Sequence, residues 1–323
     1  MVTTSDEHRF FHVAIRLALV AVSLGTVLAV FSSQHWVAEL FSHFRFYYLL
    51  AQAILVLIFL HTRHRVLLAL TVLLSVPNAL QVLPYMTPLI VGRSVAALPE
   101  EQVSIVTMNV NYRSSDYESM LNYLASGTTD VIVVSEYTPA WEAALAVLDS
   151  TYPYRIGKSR SDPWGLAVFS RLPFISAELL DLGITDSVHA RVVIDLGGTP
   201  LEIFAVHLMV PTTKNQAGLR NSQLAALAER MSLTKNPRML VGDLNITPFS
   251  PFFDDFLDAT GLVDTRRPFG FHVTWPTTAL PIWIPIDHCL ADPSIPILSV
   301  QQGPQFGSDH YPLEIAVQST GRG

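Results

Sequence analysis

The sequence predicts an α/β (α+β) two-sheet β-sandwich flanked by helices and preceded by an N-terminal transmembrane helical region. Three observations predict it. First, the 323 residues are 50% hydrophobic and only 15% charged, with a mean hydropathy of +0.36, against about 25% charged residues in ordinary soluble domains. Second, charge is divided unevenly: residues 1–99 hold six arginines and three acids, net +3, whereas the remainder holds 14 basic and 24 acidic residues, net −10. Third, apolar residues form three long blocks before residue 90 and short β-rich blocks after residue 102. A chain this apolar excludes disorder, and the single Cys289 excludes intramolecular disulfides and multi-cysteine zinc sites.

The first block, residues 11–31, is of bilayer-crossing length, with Arg16 near enough to its start to snorkel. The second, Phe46 to Leu60, is short alone but reaches that length, as a span of roughly 43–60, if Phe41 to Arg45 forms its interfacial end. The third, 66–85, is interrupted by Pro77 and Asn78, which membrane helices tolerate. A cleaved signal peptide is disfavoured, because two more apolar blocks follow and no A-x-A site ends the first. Residues 1–99 are therefore expected to be a membrane anchor of about three helices plus linker, and residues 100–323 a second domain. The turn His61-Thr62-Arg63-His64-Arg65 is the dense basic cluster between spans and should stay cytoplasmic, which puts everything after about residue 90 on the far side.

Beyond residue 102, eight runs read as strands: Val103 to Val110, Asp130 to Ser135, Leu166 to Ser170, Ala190 to Leu196, Leu201 to Leu208, Arg238 to Gly242, Ile286 to Ala291 and Leu313 to Val317. Several are apolar on both faces, as in strands covered on both sides. Ser115 to Ala125 reads as a helix, with Ser115 and Glu118 as a capping box and Gly127 as its end. Pro139 to Leu148 and Gln216 to Leu233 read as two more, the latter with Leu219, Leu224, Leu227 and Met231 on one side.

Polar residues recur where these apolar strands end. Asn109 and Asn111 follow the first and share a face; Glu136 follows the second; His207 ends the fifth; Asp243 and Asn245 end the sixth; Asp287-His288 and Ser308-Asp309-His310 complete the set. Singly, each has a plain structural reading: strand-end Asn and Asp are common turn residues, and Glu136 with Thr138 could cap the next helix. His189, His272 and His288 carry nothing beyond a structural reading.

Taken in order, Thr107-Met108-Asn109-Val110-Asn111, Ser135-Glu136, Trp164 to Arg171, Val206-His207-Leu208, Gly242-Asp243-Leu244-Asn245, Thr274-Trp275-Pro276, Ile286-Asp287-His288 and Gly307-Ser308-Asp309-His310 resemble the endonuclease/exonuclease/phosphatase superfamily, with its deoxyribonuclease I-like fold. The resemblance runs from about Val103 to Val317. It implies a metal-dependent hydrolase of phosphoester bonds, a phosphodiesterase or phosphatase. Glu136 would be the main Mg²⁺ or Mn²⁺ ligand, assisted by Asn109 and Asp309. Asp243 would activate the attacking water, Asn245 would position it or the phosphate, His310 held by Asp287 would face the phosphate, and His207 would donate to a phosphoryl oxygen. Asn111 departs from the family, standing where many nuclease members carry aspartate, which weakens a nuclease-like carry-over there.

The substrate is left open among a lipid headgroup, a nucleotide and a nucleic acid. The acidic balance argues against duplex DNA, although Arg155, Lys158 and Arg160, or Arg266 and Arg267, could form a basic patch or simply solvated loop charge. Trp164, Trp275 and the apolar loop Leu280 to Pro285 are candidate substrate contacts, core packing being equally expected. The lipid bilayer is the other expected partner, through the N-terminal helices, and no obligate protein partner is evident. The alternatives are a nuclease acting on extracytoplasmic nucleic acid and a catalytically silent binding module.

Overall fold

The computed structural model describes residues 4–91, 102–126, 129–278 and 282–319. Gly127, Leu280 and Pro281 lie outside them. Helices α1 (Thr4–Val30), α3 (Arg45–Thr62) and α4 (Arg65–Val91) are each long and apolar enough to cross a membrane, over Val13–Val30, Arg45–Thr62 and Arg65–Thr87. Pro77 does not end α4. Its neighbour Asn78 is fully buried and donates to Thr26 Oγ1 of α1 (2.9 Å) and Gln52 Oε1 of α3 (3.0 Å), while Arg45 donates to Asn78 Oδ1 (3.2 Å) and the Ala29 carbonyl (2.6 Å). Polar groups among apolar helices are costly unless paired, so this network fixes how the three helices face one another. Arg63, in the left-handed conformation at φ 60°, turns α3 into α4.

The first sheet has the order β11-β12-β1-β2-β4-β3, with β1 at Gln102–Asn109, β2 at Val131–Ser135, β3 at Tyr154–Lys158, β4 at Leu166–Ser170, β11 at Ile297–Gln302 and β12 at Leu313–Gln318. The second has the order β5-β6-β7-β8-β10-β9, with β5 at Phe174–Leu180, β6 at His189–Asp195, β7 at Pro200–His207, β8 at Arg238–Asp243, β9 at Val263–Asp264 and β10 at Asp287–Ala291. Pairs β1/β2 and β7/β8 are parallel and the others antiparallel. Alternate residues of the inner strands meet between the sheets, Ile105, Val133 and Val168 from one and Val192, Ile203, Val241 and Cys289 from the other. The opposite faces are covered by helices: α5 (Tyr117–Ser126) and α6 (Pro139–Leu145) on the first sheet through Met120, Leu124 and Trp141, and α7 (Lys214–Ser232) and α8 (Pro251–Thr260) on the second through Leu227, Met231 and Phe253.

The eight strands expected from sequence are the eight inner strands. The four it did not reveal, β3, β5, β9 and β11, are the four sheet edges. The cause is physical: β5 is exposed at Ile175 to Leu179 and β3 at four of five positions, so neither shows an apolar run. The capping box also differs from expectation. Asp116, not Ser115, caps α5: its carboxylate accepts from the Ser119 N–H (3.2 Å) and hydroxyl (2.8 Å). Helix α8, with Ser250 as N-cap and Gly261 as left-handed C-cap, was not anticipated, nor was the short helix α2 (Trp36–Ser42).

Helix α2 and the adjoining ends of α3 and α4 seat the bundle on the second sheet. Glu39 of α2 accepts from Arg220 of α7 at 2.6 Å and from Ser250 Oγ at 2.8 Å, all three buried, and Arg220 also donates to the Asn245 carbonyl at 3.2 Å. His43 Nδ1 lies 2.9 Å from Thr247 Oγ1, Tyr47 donates to the Trp283 carbonyl (2.8 Å) and Tyr85 to Asp264 Oδ2 (2.9 Å). These contacts gather at the bundle end opposite the Arg63 turn.

Removing one member of a buried ion pair leaves an uncompensated charge and costs about 3–5 kcal/mol. Glu39→Ala should therefore lower the unfolding midpoint of the detergent-purified full chain by roughly 6–20 °C. Adding Arg220→Ala should recover part of the loss. A shift under about 2 °C would show that the pair contributes no net stability.

Candidate active site

The ends of the inner strands converge at one edge of the sandwich. Asn109 is the last residue of β1, His207 of β7 and Asp243 of β8, while Asp287 begins β10 and Glu136 follows β2. Register places His207 beside Asp243 across the parallel pair, and Asp243 opposite Asp287 across the antiparallel one. Gly242, at φ 140°, permits the first pairing, since a Cβ there would fall on the Val206 carbonyl oxygen.

One amide ties the two sheets together: Asn109 Nδ2 donates to Glu136 Oε1 (3.0 Å) and to Asp243 Oδ2 (3.1 Å). The second Glu136 oxygen accepts from the Tyr112 N–H at 2.7 Å, and the Asn109 side-chain oxygen Oδ1 accepts from the Asn111 N–H at 3.0 Å. Asp243 Oδ1 accepts from the Asn245 N–H (2.9 Å), whose side chain donates to the Leu208 carbonyl (2.9 Å). Among the described residues, four non-glycine positions have positive φ: the Arg63 turn and Asn111, Glu136 and Asn245. Such conformations cost energy and persist where surroundings over-determine them. Three of the four are here.

His310 Nδ1 is 2.8 Å from Asp287 Oδ2, and its Nε2 is 3.8 Å from Asp243 Oδ2. His207 Nε2 approaches the same Asp243 oxygen at 3.7 Å. Thr274 Oγ1 accepts from the backbone N–H groups of Ile286 and Asp287 (3.0 Å each), fixing the start of β10. Burial works against a charge on His310, but the Asp287 carboxylate and its hydrogen bond, with Asp243 and Asp309, outweigh it and push the imidazolium up to about 10. Burial, then the Asp287 charge, raise Asp243 well above the carboxylate range, with His310 pulling back. Burial would raise Asp287 too, but its pairing with His310 brings it below that range. Burial lowers His207.

A cavity of about 490 Å³ opens on this cluster, lined by Glu136, His207, Asp243, Asn245, Asp309 and His310 and by a set of apolar side chains. No lysine or arginine is among its lining residues. The donor set fits a hard divalent cation: the Glu136, Asp243 and Asp309 carboxylates line one cavity, and buried Asp287 Oδ1 is without a partner among the described residues. Cys289 faces the core between the sheets and offers no soft ligand.

Of the residues expected at the site, Asn109, Glu136, His207, Asp243, Asn245, Asp287, Asp309 and His310 are brought together. Trp275 also lines the cavity and donates to Asp309 Oδ2 at 3.1 Å. Trp164 instead packs on the His207 ring, centroids 5.1 Å apart, and is not among the cavity residues. Asn111 lies beside the cluster, its carbonyl oxygen on Trp141 Nε1 at 3.4 Å. Thr138, not Glu136, caps α6. His288 is structural, accepting from Arg266 (2.6 Å) and bonded to the Ile246 carbonyl (2.7 Å), and burial with the Arg266 charge lowers it to about 3. Arg266 is neither patch nor solvated loop charge: it is buried against Asp264 at 3.1 Å. Arg155 pairs with Asp149, and Arg160 with Asp162 and Asp186. Sequence reasoning missed Leu40, His43 and Phe44, which line the cavity from a distant part of the chain.

A model of the Endonuclease/Exonuclease/phosphatase family matches residues 106–310. No curated protein sequence matches the chain. Solved structures share the fold at low identity. Humanized D. rerio TDP2 is 18% identical with a TM-score of 0.57, covering 68% of this chain and all of its own. An endonuclease/exonuclease/phosphatase family protein from Leptotrichia buccalis is 15% identical (TM-score 0.54; 67% and 99% covered), and beta toxin from Staphylococcus aureus 14% identical (TM-score 0.53; 66% and 99%).

The His310 imidazole, labelled with ¹⁵N in the metal-free full chain, should hold its proton until about pH 10. Asp287→Asn removes the anion that outweighs burial and should lower that midpoint by about 1–3 units. An unchanged titration would show that Asp287 does not hold the proton on His310.

Proposed function

The chain belongs to the endonuclease/exonuclease/phosphatase family, whose members are typically hydrolases of phosphoester bonds, and from that premise we propose a membrane-anchored, metal-dependent phosphoesterase. The observation that carries the reading is the approach of two imidazoles, His207 and His310, to within 3.7 and 3.8 Å of one buried carboxylate oxygen of Asp243. A base, a protonated histidine and a neutral histidine thus face one small volume, the arrangement needed to deprotonate water and to meet charge on a phosphoryl group.

In this reading Asp243 takes the proton of a water that Asn245 helps to position. The water oxygen bonds to phosphorus in line as the ester P–O bond breaks. The departing oxygen takes a proton from His310, oriented by Asp287, and His310 recovers it from Asp243. His207 donates to a phosphoryl oxygen. Glu136, with Asn109 fixing its carboxylate and Asp309 nearby, would hold Mg²⁺ or Mn²⁺. Bound there, the cation supplies Lewis-acid neutralisation of the phosphoryl oxygens.

A nucleic-acid substrate is the alternative, since a D. rerio TDP2 structure is described with a single strand DNA product. It is disfavoured because no lysine or arginine lines the cavity, and of the candidate patch residues Arg155, Arg160 and Arg266 are engaged with acids. A silent binding module is disfavoured by the complete set of site groups. We place the anchor at residues 1–99 and the catalytic domain at 100–323. The bundle end that carries the catalytic domain is opposite the Arg63 and Arg65 turn, which supports an extracytoplasmic active site under the positive-inside rule.

The purified full chain should hydrolyse bis-(p-nitrophenyl) phosphate with Mg²⁺ or Mn²⁺ and lose activity to a chelator. Asp243→Ala and His310→Ala should each cost about 10²–10⁴ in kcat; undiminished rates in both would refute the assignment. Because the base must be ionised, the rate should fall on acidification through the raised Asp243 titration. It should fall again as pH rises through about 10, where His310 loses its proton. A reporter fused after Gly323 should read as extracytoplasmic, and a cytoplasmic signal would overturn the three-span topology.

A further inference from the structure

Three residues that line the active-site cavity, Leu40, His43 and Phe44, come from the corner between α2 and α3. They lie outside residues 106–310, the part this chain shares with its family. The corner is firmly held. Glu39 is paired with Arg220, which also grips the Asn245 carbonyl, and His43 is bonded to Thr247 in the loop that leaves Asp243. On its other side Tyr47, in the first turn of α3, donates to the carbonyl of Trp283, next to the cavity residue Ile284.

The same corner joins two of the membrane-length helices, ending one apolar window at Val30 and beginning the next at Arg45. It therefore sits at the level where hydrocarbon gives way to headgroups. Phe31, Val37 and Ile282 are exposed around it, at 56%, 39% and 41% of their surface, and Trp36, Tyr47 and Trp283 are partly so. Amphipathic aromatics at such a level are the usual companions of an interface. The cavity thus combines the polar groups around Asp243 with the apolar side chains of Leu40, Phe44, Val210, Ile284 and Ile286, and neither lysine nor arginine lines it. A polyanion would find no lysine or arginine there, whereas one phosphoester attached to a hydrocarbon body would match both surfaces.

We propose that the α2–α3 corner is an acyl-chain subsite and that the phosphoester hydrolysed by this chain is carried by a lipid of the membrane in which its helices lie. The proposal rests on the phosphoesterase reading above and names its substrate class. Leu40 and Phe44 receive the first methylenes of the lipid, which sets the headgroup phosphate over Asp243, His207 and His310. His43, bonded to Thr247, transmits the position of the corner to the Asp243 loop.

The test compares p-nitrophenyl methyl phosphate with p-nitrophenyl octyl phosphate as diesters with one reactive centre, using the full chain with Mg²⁺ or Mn²⁺. Contact of two or three methylenes with the wall should favour the octyl diester in kcat/KM by about tenfold or more. Phe44→Ser, or Leu40→Asn if that variant does not fold, should pull the ratio toward one. In a second arm the chain is reconstituted into vesicles of phosphatidylethanolamine, phosphatidylglycerol and a polyprenyl-linked diphosphate. Metal-dependent cleavage of a vesicle lipid, faster than of its deacylated counterpart, is the expected result. Equal rates on the two diesters in the unmodified chain would overturn the subsite. Octyl preference with vesicle lipids left intact would overturn the membrane source in favour of a soluble amphiphile. No turnover of either diester with any metal would instead overturn the phosphoesterase reading, and this proposal with it.

Discussion

Asp243 and Asp287 stand opposite one another on adjacent antiparallel strands, both buried. Like charges so placed repel, and removal from water adds a second penalty. Much of the surrounding structure is intelligible as the relief of this conflict. His310 neutralises Asp287, the Asn245 N–H and the Asn109 amide donate to Asp243, and Asn109 also holds Glu136. The backbone is unfavourable at Asn245, which donates, and at Glu136, which accepts, both at positive φ. The Asp287 carboxylate keeps the proton on His310, and a cation is the natural complement to the carboxylates that remain.

The N-terminal helices are part of this arrangement and do more than tether it. Helix α2 is only seven residues long, yet it supplies Glu39 to a buried arginine that also donates to the carbonyl of Asn245. A shift of the bundle is thereby felt at the residue that donates to Asp243. Within the bundle, Asn78 is the hub through which Thr26, Gln52 and Arg45 are satisfied together. The proline before it withholds one backbone N–H from α4, and Gln52 also donates to the nearby Leu74 carbonyl at 3.2 Å. The interruption noted in the third apolar block is thus the place where the block is fastened to the other two.

What could be read from the sequence follows from where each residue lies in the sandwich. Inner strands are covered on both faces and write continuous apolar runs such as Val131 to Val134; edge strands such as β5 face water and write nothing distinctive. The site was legible because Glu136, His207 and Asp243 end apolar runs, where an ionisable group needs a reason to be. Contacts between remote segments left no such mark. Nothing in the sequence marks Glu39, and Arg266 reads as patch or loop charge, because their partners are identified only by the folded chain. Ser115 and Asp116 illustrate a finer limit, since both are good caps and geometry alone chose between them.

The Glu39–Arg220 pair also has a consequence in time. Its members are separated by 181 residues, so at about 5–20 residues per second the ribosome delivers the arginine roughly 10–35 s after the glutamate. Throughout that interval α1 to α3 exist without the partner that completes α2, and Glu39 must find its hydrogen bonds elsewhere. The final packing of α2 is therefore a late event, and the two-sheet part of the chain acts as the template on which the N-terminal helices finish folding.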